Sequence, residues 1–230
     1  MPFFEPLFAD RRDAGRRLAA ALASYRENRP VVLALPRGGV PVGFEIAKAL
    51  AAPLDVLLVR KIGAPGHEEL GLGAIVDGHD PQIVLNEELV RAVAPPRGYI
   101  EAEMQRQLAE IERRRRQYVG DRPPVRAEGR LVFVVDDGIA TGGTVKAALR
   151  GLARHNPARL VLAVPVAPAD SLEELAAECD QIVCLATPEP FYAVGPHYRN
   201  FRQTEDDEVV QLLAEARRWS NAEPDVQPKR

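Results

Sequence analysis

The chain has 230 residues, of which 46% are hydrophobic and 27% charged, and its formal charge at pH 7 is −3. This length suits one domain, expected at residues 1–220 with a loose tail at 221–230, and the acidic balance disfavours a general nucleic-acid binder, whose binding domain is usually basic. No apolar run approaches the length of a membrane span and no secretory leader is recognisable, so we expect a cytoplasmic protein without membrane or nucleic-acid partners.

The first part of the chain alternates between helical patterns and short apolar strands. A helix is predicted at residues 10–25. Strands are predicted, in chain order, at residues 31–35, 54–59, 71–77 and 82–86. The last two are predicted to form a hairpin that turns at residues 78–81.

The loop after the first strand reads Pro36-Arg37-Gly38-Gly39. Two adjacent glycines let the backbone approach an anion closely, and the arginine adds a bidentate hydrogen-bond donor. The alternative is a plain turn with a surface arginine.

A long amphipathic helix is predicted near residues 100–118, after Pro95-Pro96. Arginines at positions 113–116 are expected to form its solvated face, paired in part with Glu110 and Glu112. This interpretation is favoured over a nucleic-acid surface because the whole chain is acidic.

The most informative segment is residues 131–144, which read LVFVVDDGIATGGT. An apolar strand at 131–135 is followed by Asp136 and Asp137, at the strand end where open α/β sheets bind ligands. Carboxylates there can accept hydrogen bonds from vicinal hydroxyls. The turn that follows, with its glycines and threonines, opens a helix whose N-terminus favours an anion. Together these features indicate a site for ribose 5-phosphate.

Other phosphate loops fit this segment less well. A P-loop needs a Gly-Lys-Ser/Thr ending, whereas Gly143 precedes Thr144 directly and Lys146 comes too late. No G-x-G-x-x-G follows a strand. The alternative that the segment is a simple turn leaves the paired acids unexplained.

The remaining elements complete an alternating pattern. Strands are predicted at residues 160–166 and 181–185, and a last helix ends near Trp219. The pattern predicts an α/β fold with a doubly wound parallel sheet and a core of about residues 30–190. Cys179 and Cys184 are interpreted as core thiols, because no second pair completes a zinc site.

Residues 131–144 resemble the signature of the type I phosphoribosyltransferases, which bind 5-phosphoribosyl 1-pyrophosphate (PRPP). The resemblance covers about residues 30–200 and is nearest the adenine and orotate enzymes. The hypoxanthine-guanine enzymes have an aspartate where this chain has Ala140. The chain is therefore similar to an uncharacterised bacterial branch of the family.

The resemblance implies roles for two loops. Pyrophosphate is expected on Arg37, Gly38 and Gly39, where the family often has a strained or cis peptide. Asp136 and Asp137 are expected to bind the ribose hydroxyls, and Mg²⁺ mainly through those hydroxyls or water. The PRPP-binding residues expected overall are Asp136, Asp137, Gly138, Ile139, Ala140, Thr141, Gly142, Gly143 and Thr144.

A third loop, after the strand at 54–59, resembles the catalytic hood loop of the adenine and orotate enzymes. We expect it to be a mobile lid that excludes water from a positively charged sugar. Arg60, Lys61 and His67 would neutralise the departing pyrophosphate, and Glu68 or Glu69 would handle a base proton. His67 alone is equally well explained as a surface histidine.

A small hood is expected from about residues 1–10 and 188–203, with a mid-chain contribution. Phe191 or Tyr192 is the candidate to stack on a nucleobase, although both rings fit equally well as packing for a lid.

The function implied is an Mg²⁺-dependent phosphoribosyltransferase that joins PRPP to a nitrogenous base and releases pyrophosphate. The alternative is a PRPP-sensing regulator of the same fold, disfavoured because the chain lacks a helix-turn-helix pattern and a broad basic surface. A serine hydrolase is disfavoured because no serine lies in a G-x-S-x-G setting. By analogy with the family, the long helix is a possible homodimer contact.

Overall fold

Strands and helices alternate along the chain in the computed structural model, which describes residues 5–78 and 80–220. The strands are β1 Val31–Ala34, β2 Leu54–Val56, β3 Val59–Ala64, β4 His67–Val76, β5 Gln82–Leu85, β6 Leu131–Val135, β7 Arg159–Val166 and β8 Gln181–Ala186. The helices are α1 Arg11–Ala21, α2 Gly39–Leu50, α3 Glu87–Val93, α4 Tyr99–Val119, α5 Gly143–Ala153, α6 Ala169–Leu175 and α7 Asp206–Ser220. Short 3₁₀ helices span Ala23–Asn28, Ala176–Glu178 and Gly195–His197.

Five parallel strands form the main sheet in the order β2-β1-β6-β7-β8. Alternate residues of these strands enter two separate cores, so the sheet is covered on both faces. Val32 and Phe133 pack with α1, α2 and α7 on one face. Val134 packs with α5 on the other. The predicted doubly wound α/β fold is confirmed.

Strands β3, β4 and β5 form a second, antiparallel sheet. The hairpin predicted from residues 71–77 and 82–86 is confirmed as β4 and β5. The strand predicted at 54–59 is confirmed at its start, but its end is wrong, because β2 ends at Val56 and a new strand starts at Val59. The residues predicted to form a mobile loop instead form the β3–β4 hairpin, which turns at Gly66 with a positive φ of 72°, and their mobility stays a prediction.

The outer face of α4 carries the ion pairs expected of a solvated surface. Arg113 and Arg114 both bind Glu110, and Arg116 binds Glu112 at 3.0 Å. The homodimer contact proposed for this helix stays a prediction.

Arg115 departs from that face and is largely buried. Its guanidinium donates to Asp55 Oδ2 and to Asp77 Oδ2, each at 2.8 Å. Asp55 also accepts from Arg122 at 2.9 Å. Burial raises the pKa of Asp77, and Arg115 opposes that rise. This cluster fastens α4 to β2 and to the end of β4.

The two ends of the described chain lie together. Phe8 forms a parallel bridge with Tyr198, and the two residues share a small buried cluster with Ala14 and Val166. The two terminal regions expected to form the hood are therefore in contact, and the hood itself stays a prediction. Residues 1–4 and the predicted tail lie outside the described residues. Cys179 and Cys184 are free, half-buried thiols whose pKa burial raises. None of the helices described here is long and apolar enough to cross a membrane.

Replacing Arg115 with methionine is expected to lower the free energy of unfolding by about 3–5 kcal/mol, because the buried Asp77 loses its ion pair and the buried Asp55 keeps only its pair with Arg122. Urea denaturation followed by circular dichroism measures this. Arg116→Met is the matched control, since Arg116 is an exposed neighbour whose loss is expected to cost less than about 0.5 kcal/mol. Equal stability of the two variants would contradict the structural role of the buried cluster.

Candidate functional site

The pairing of β1 with β6 brings two of the predicted loops to one edge of the sheet. Ala34 pairs in register with Val135, and the amide of Leu35 donates to the carbonyl of Val135 at 2.8 Å. Residues 36–39 and residues 136–144 therefore begin side by side at the carboxyl ends of neighbouring strands.

The two loops touch at positions that admit only glycine. A Cβ added at Gly38 would lie 2.0 Å from Asp137 Oδ2, and one at Gly39 would lie 2.6 Å from the carbonyl oxygen of Val135. The Pro36-Arg37 peptide is cis, as the resemblance implies. The glycines thus let the first loop pack directly against the second, which places the backbone of Gly38 and Gly39 against the acid pair and the end of β6.

Asp136 and Asp137 form the centre of the site. The amide of Asp137 donates to Asp136 Oδ1 at 2.8 Å, and both side chains are largely withdrawn from solvent. Burial and the neighbouring charge of Asp137 raise the pKa of Asp136 well above its usual value. Burial also raises the pKa of Asp137, with Arg11 acting in the opposite direction. A bound cation or hydroxyl donors would stabilise the charged form of these two carboxyls and so oppose the rise in their pKa values.

Sequence reasoning missed two residues that hold Asp137. Arg11, at the start of α1, donates from Nε to Asp137 Oδ2 at 2.6 Å. The Tyr198 hydroxyl donates to the backbone carbonyl of Asp137, and burial raises the pKa of Tyr198. These partners lie 126 and 61 residues away along the chain, so no local pattern marks them.

The turn after the acids is anchored at its base and open at its tip. The amide of Ile139 donates to the carbonyl of Val166 at 2.9 Å, and the Ile139 side chain is buried. Gly142, with a φ of 70°, caps the N-terminus of α5. Residues 140, 141, 143 and 144 are exposed, including the side chains of Thr141 and Thr144. Unpaired amides of the first helical turn, the helix dipole and these hydroxyls form a suitable anion site.

Arg37 is held by the start of α7. Its Nη1 lies 3.7 Å from Asp206 Oδ1, with both side chains about one-third exposed. Asp206 also accepts from the Tyr118 hydroxyl at 2.6 Å. The hydrogen bond from Tyr118 lowers the pKa of Asp206, and burial together with Asp206 raises the pKa of Tyr118 to about 12.

The four residues expected in the mobile loop lie on the β3–β4 hairpin. Arg60 donates from Nε to Gln107 Oε1 of α4 at 2.8 Å and is partly buried. Lys61 is exposed on β3, and His67 and Glu68 are exposed at the start of β4. All four residues therefore lie on one hairpin. Arg60, however, hydrogen-bonds to α4 and not to the acid pair.

The two aromatic candidates have different environments. Phe191 stacks on the ring of His197 with centroids 5.1 Å apart and packs against the buried cluster of Phe8 and Tyr198. This placement agrees with a role in packing. Tyr192 is 83% exposed, so its ring is open to solvent, and its stacking role stays a prediction.

The acid pair suits magnesium bound through water or substrate oxygens. Within residues 5–78 and 80–220, no group of three or more His, Cys, Asp or Glu side chains forms a cage for a metal ion. Mg²⁺ commonly takes only one or two carboxylates from a protein and keeps water and substrate oxygens as its other ligands. Asp136 and Asp137 fit that limited role.

Comparison with known proteins agrees with this geometry. A family model described as phosphoribosyl transferase domain matches residues 9–198. Two proteins of Mycobacterium tuberculosis, from strains CDC 1551 / Oshkosh and ATCC 25618 / H37Rv, are each named "Putative phosphoribosyl transferase". Both are 50% identical to this chain over 212 residues, which is 92% of this chain and 47% of each relative. The chain thus spans about half the length of these relatives.

A solved structure shares both fold and sequence with the chain. The crystal structure of the protein TT1426 from Thermus thermophilus superimposes with a TM-score of 0.79 at 43% sequence identity. The match covers 90% of this chain and 98% of that one.

Replacing Gly39 with alanine is expected to destabilise the protein by about 1–3 kcal/mol, because the added methyl meets the backbone of β6 and the core is already close-packed. Thermal denaturation measures the loss. Gly71→Ala is the control, since a Cβ there meets nothing within 4 Å. If the two variants have the same melting temperature, the two loops pack less tightly around Gly39 than the 2.6 Å distance indicates.

Proposed function

The chain belongs to the phosphoribosyl transferase family, and on that premise we propose that it transfers the 5-phosphoribosyl group of PRPP to a nitrogenous base. Pyrophosphate is the leaving group, and the reaction serves nucleotide salvage or synthesis. The observation that carries the proposal is the contact between Gly38 and Asp137, which joins a cationic loop to a pair of carboxylates beside an open helix N-terminus.

Three neighbouring features match the three parts of PRPP. The 5-phosphate binds the amides and hydroxyls of residues 140–144 at the start of α5. The ribose hydroxyls donate to Asp136 and Asp137. The pyrophosphate lies on residues 37–39, where the glycine backbone permits close approach and Arg37 supplies charge.

The chemical step is mainly electrostatic. The bond from C1 to the pyrophosphate oxygen breaks as the base nitrogen forms its own bond to C1, and positive charge develops on the sugar ring. Asp136 and Asp137 stabilise that charge from the hydroxyl side. Arg37 stabilises the departing polyanion, and its long, part-exposed pair with Asp206 costs little to exchange for pyrophosphate.

Magnesium, when bound, supplies further positive charge to the pyrophosphate and to the ribose hydroxyls. Asp136 and Asp137 are the residues that would hold it through water or those hydroxyls.

The β3–β4 hairpin is proposed to cover the sugar during the reaction. Lys61 and His67, which are exposed on neighbouring strands, would neutralise the leaving group, and Glu68 would take the proton of the base. Arg60, held by Gln107, adds charge from the root of the same hairpin. Excluding water from the cationic sugar prevents its hydrolysis.

The acceptor is tested directly by incubating purified protein with Mg²⁺, PRPP and a pooled panel of purines, pyrimidines and pyridine carboxylates. Mass spectrometry is expected to detect one new 5′-mononucleotide and pyrophosphate. PRPP that binds by calorimetry but stays intact would instead support a PRPP-sensing regulator. PRPP that does not bind at all would refute the proposed function.

In the same assay, the double variant Asp136→Asn/Asp137→Asn is expected to lose PRPP binding and turnover while it still unfolds cooperatively. Both amides keep the shape of the acids but lose the charge that the ribose and magnesium require. Unchanged kinetics in this variant would exclude the acid pair from the site.

Tyr192→Ala is expected to raise the KM for the base about tenfold, because stacking on an aromatic ring contributes about 1–3 kcal/mol per base. The KM for PRPP should stay unchanged. Tyr192→Phe keeps the ring and serves as the control. Steady-state kinetics with the identified base would reject the stacking role if the alanine and phenylalanine variants behave alike.

A further inference from the structure

Arg11 makes three contacts that converge on the acid pair and the hood. Its Nε donates to Asp137 Oδ2 at 2.6 Å and its Nη1 donates to the carbonyl of Arg202 at 2.7 Å. The guanidinium carbon lies 3.9 Å from the centre of the Phe201 ring. The side chain is only 12% exposed, so these contacts are made in a partly desolvated setting.

The carboxylate of Asp137 is confined from two sides. Gly38 lies so close that no Cβ fits between it and Oδ2, and Arg11 contacts the same oxygen. A carboxylate offers about four acceptor positions, so Asp137 can bind Arg11 and still accept a hydroxyl. Fixing its orientation before the ligand arrives reduces the entropy lost on binding.

We propose that Arg11 is a positioning residue for the sugar site: it holds Asp137 in the orientation that accepts a ribose hydroxyl and joins that carboxylate to the hood. This inference rests on the proposed function, because it assumes that PRPP is the ligand. Arg11 touches Asp137 rather than the substrate. Its replacement is therefore expected to weaken PRPP affinity more than it slows the chemical step.

The contacts require a planar guanidinium rather than any positive charge. Two nitrogens of one plane donate in different directions while the flat face of the group lies over an aromatic ring. A lysine ammonium is a point charge on a flexible stem and cannot satisfy all three contacts at once. Arg11→Lys is therefore expected to weaken PRPP binding, as loss of the side chain would, rather than to act as a conservative substitution.

The contacts of Arg11 also connect the sugar site at Asp137 with the hood. Phe201 packs in the same cluster as Phe191 and Tyr198, and Tyr198 itself donates to the carbonyl of Asp137. A base seated against the hood and a sugar seated on Asp137 thus act on one connected group of side chains.

The test is isothermal titration of Mg²⁺-PRPP into the full chain and its Arg11→Ala variant, with and without millimolar guanidinium chloride at matched ionic strength. The Kd of Arg11→Ala is expected to rise about tenfold or more, the loss of one charge-assisted hydrogen bond. Free guanidinium is expected to refill the space over Phe201 and recover most of the affinity. A residue with a purely structural role would show no such recovery.

Arg12→Ala is the matched control, because Arg12 is the next residue of the same helix, binds Glu45 at 3.3 Å and lies 5.0 Å from the Phe44 ring. Its Kd should equal that of the unmodified protein with and without guanidinium. Arg11→Lys gives a second variant if Arg11→Ala does not fold, and it should also bind more weakly.

The outcomes separate the two proposals. Failure of the unmodified protein to bind Mg²⁺-PRPP overturns the proposed function and this inference with it. Normal affinity in the Arg11 variants, or weakened affinity of Arg11→Ala that guanidinium does not restore, overturns the positioning role alone.

Discussion

The hydrogen-bonded pairing of β1 with β6 is the constraint on which the site depends. Because the two strands are parallel and adjacent, with Ala34 opposite Val135, their loops leave the sheet at one point. Neither loop is a binding site alone: one carries cationic and glycine residues, and the other carries the acids and the helix N-terminus. Gly38 and Gly39 then let the loops close upon each other without an intervening side chain.

The sequence identified those parts of the protein whose signal is local. The strand, paired acids and threonine-glycine turn of residues 131–144 occur in one continuous segment, and each has its own physical reason. The alternation of strands and helices likewise predicts the sheet. Arg11, Asp206 and Arg115 could not be assigned in this way, because each depends on a partner far along the chain.

The β3–β4 hairpin shows that a glycine-rich sequence can predict a loop where the chain forms paired strands. The glycines of the predicted loop suggest flexibility, yet Gly63 is required by close strand packing, as is Gly73 in the strand predicted at 71–77. A Cβ at Gly63 would lie 2.7 Å from the backbone of Glu68, and one at Gly73 would lie 2.5 Å from the carbonyl of Val84. Glycine in an antiparallel sheet can mark tight contact as readily as freedom, and only the partner strand distinguishes the two.

The buried Arg115 cluster anchors one end of the β3–β4 hairpin. Arg115 ties Asp77, directly after β4, to Asp55 on the main sheet, while the turn at Gly66 lies at the opposite end of the same strands. The Tyr99 hydroxyl of α4 also donates to the carbonyl of Gly63 at 3.0 Å, close to the turn. The hairpin is therefore held against α4 along β3 as well as at its root, and the exposed residues His67 and Glu68 lie beyond both contacts.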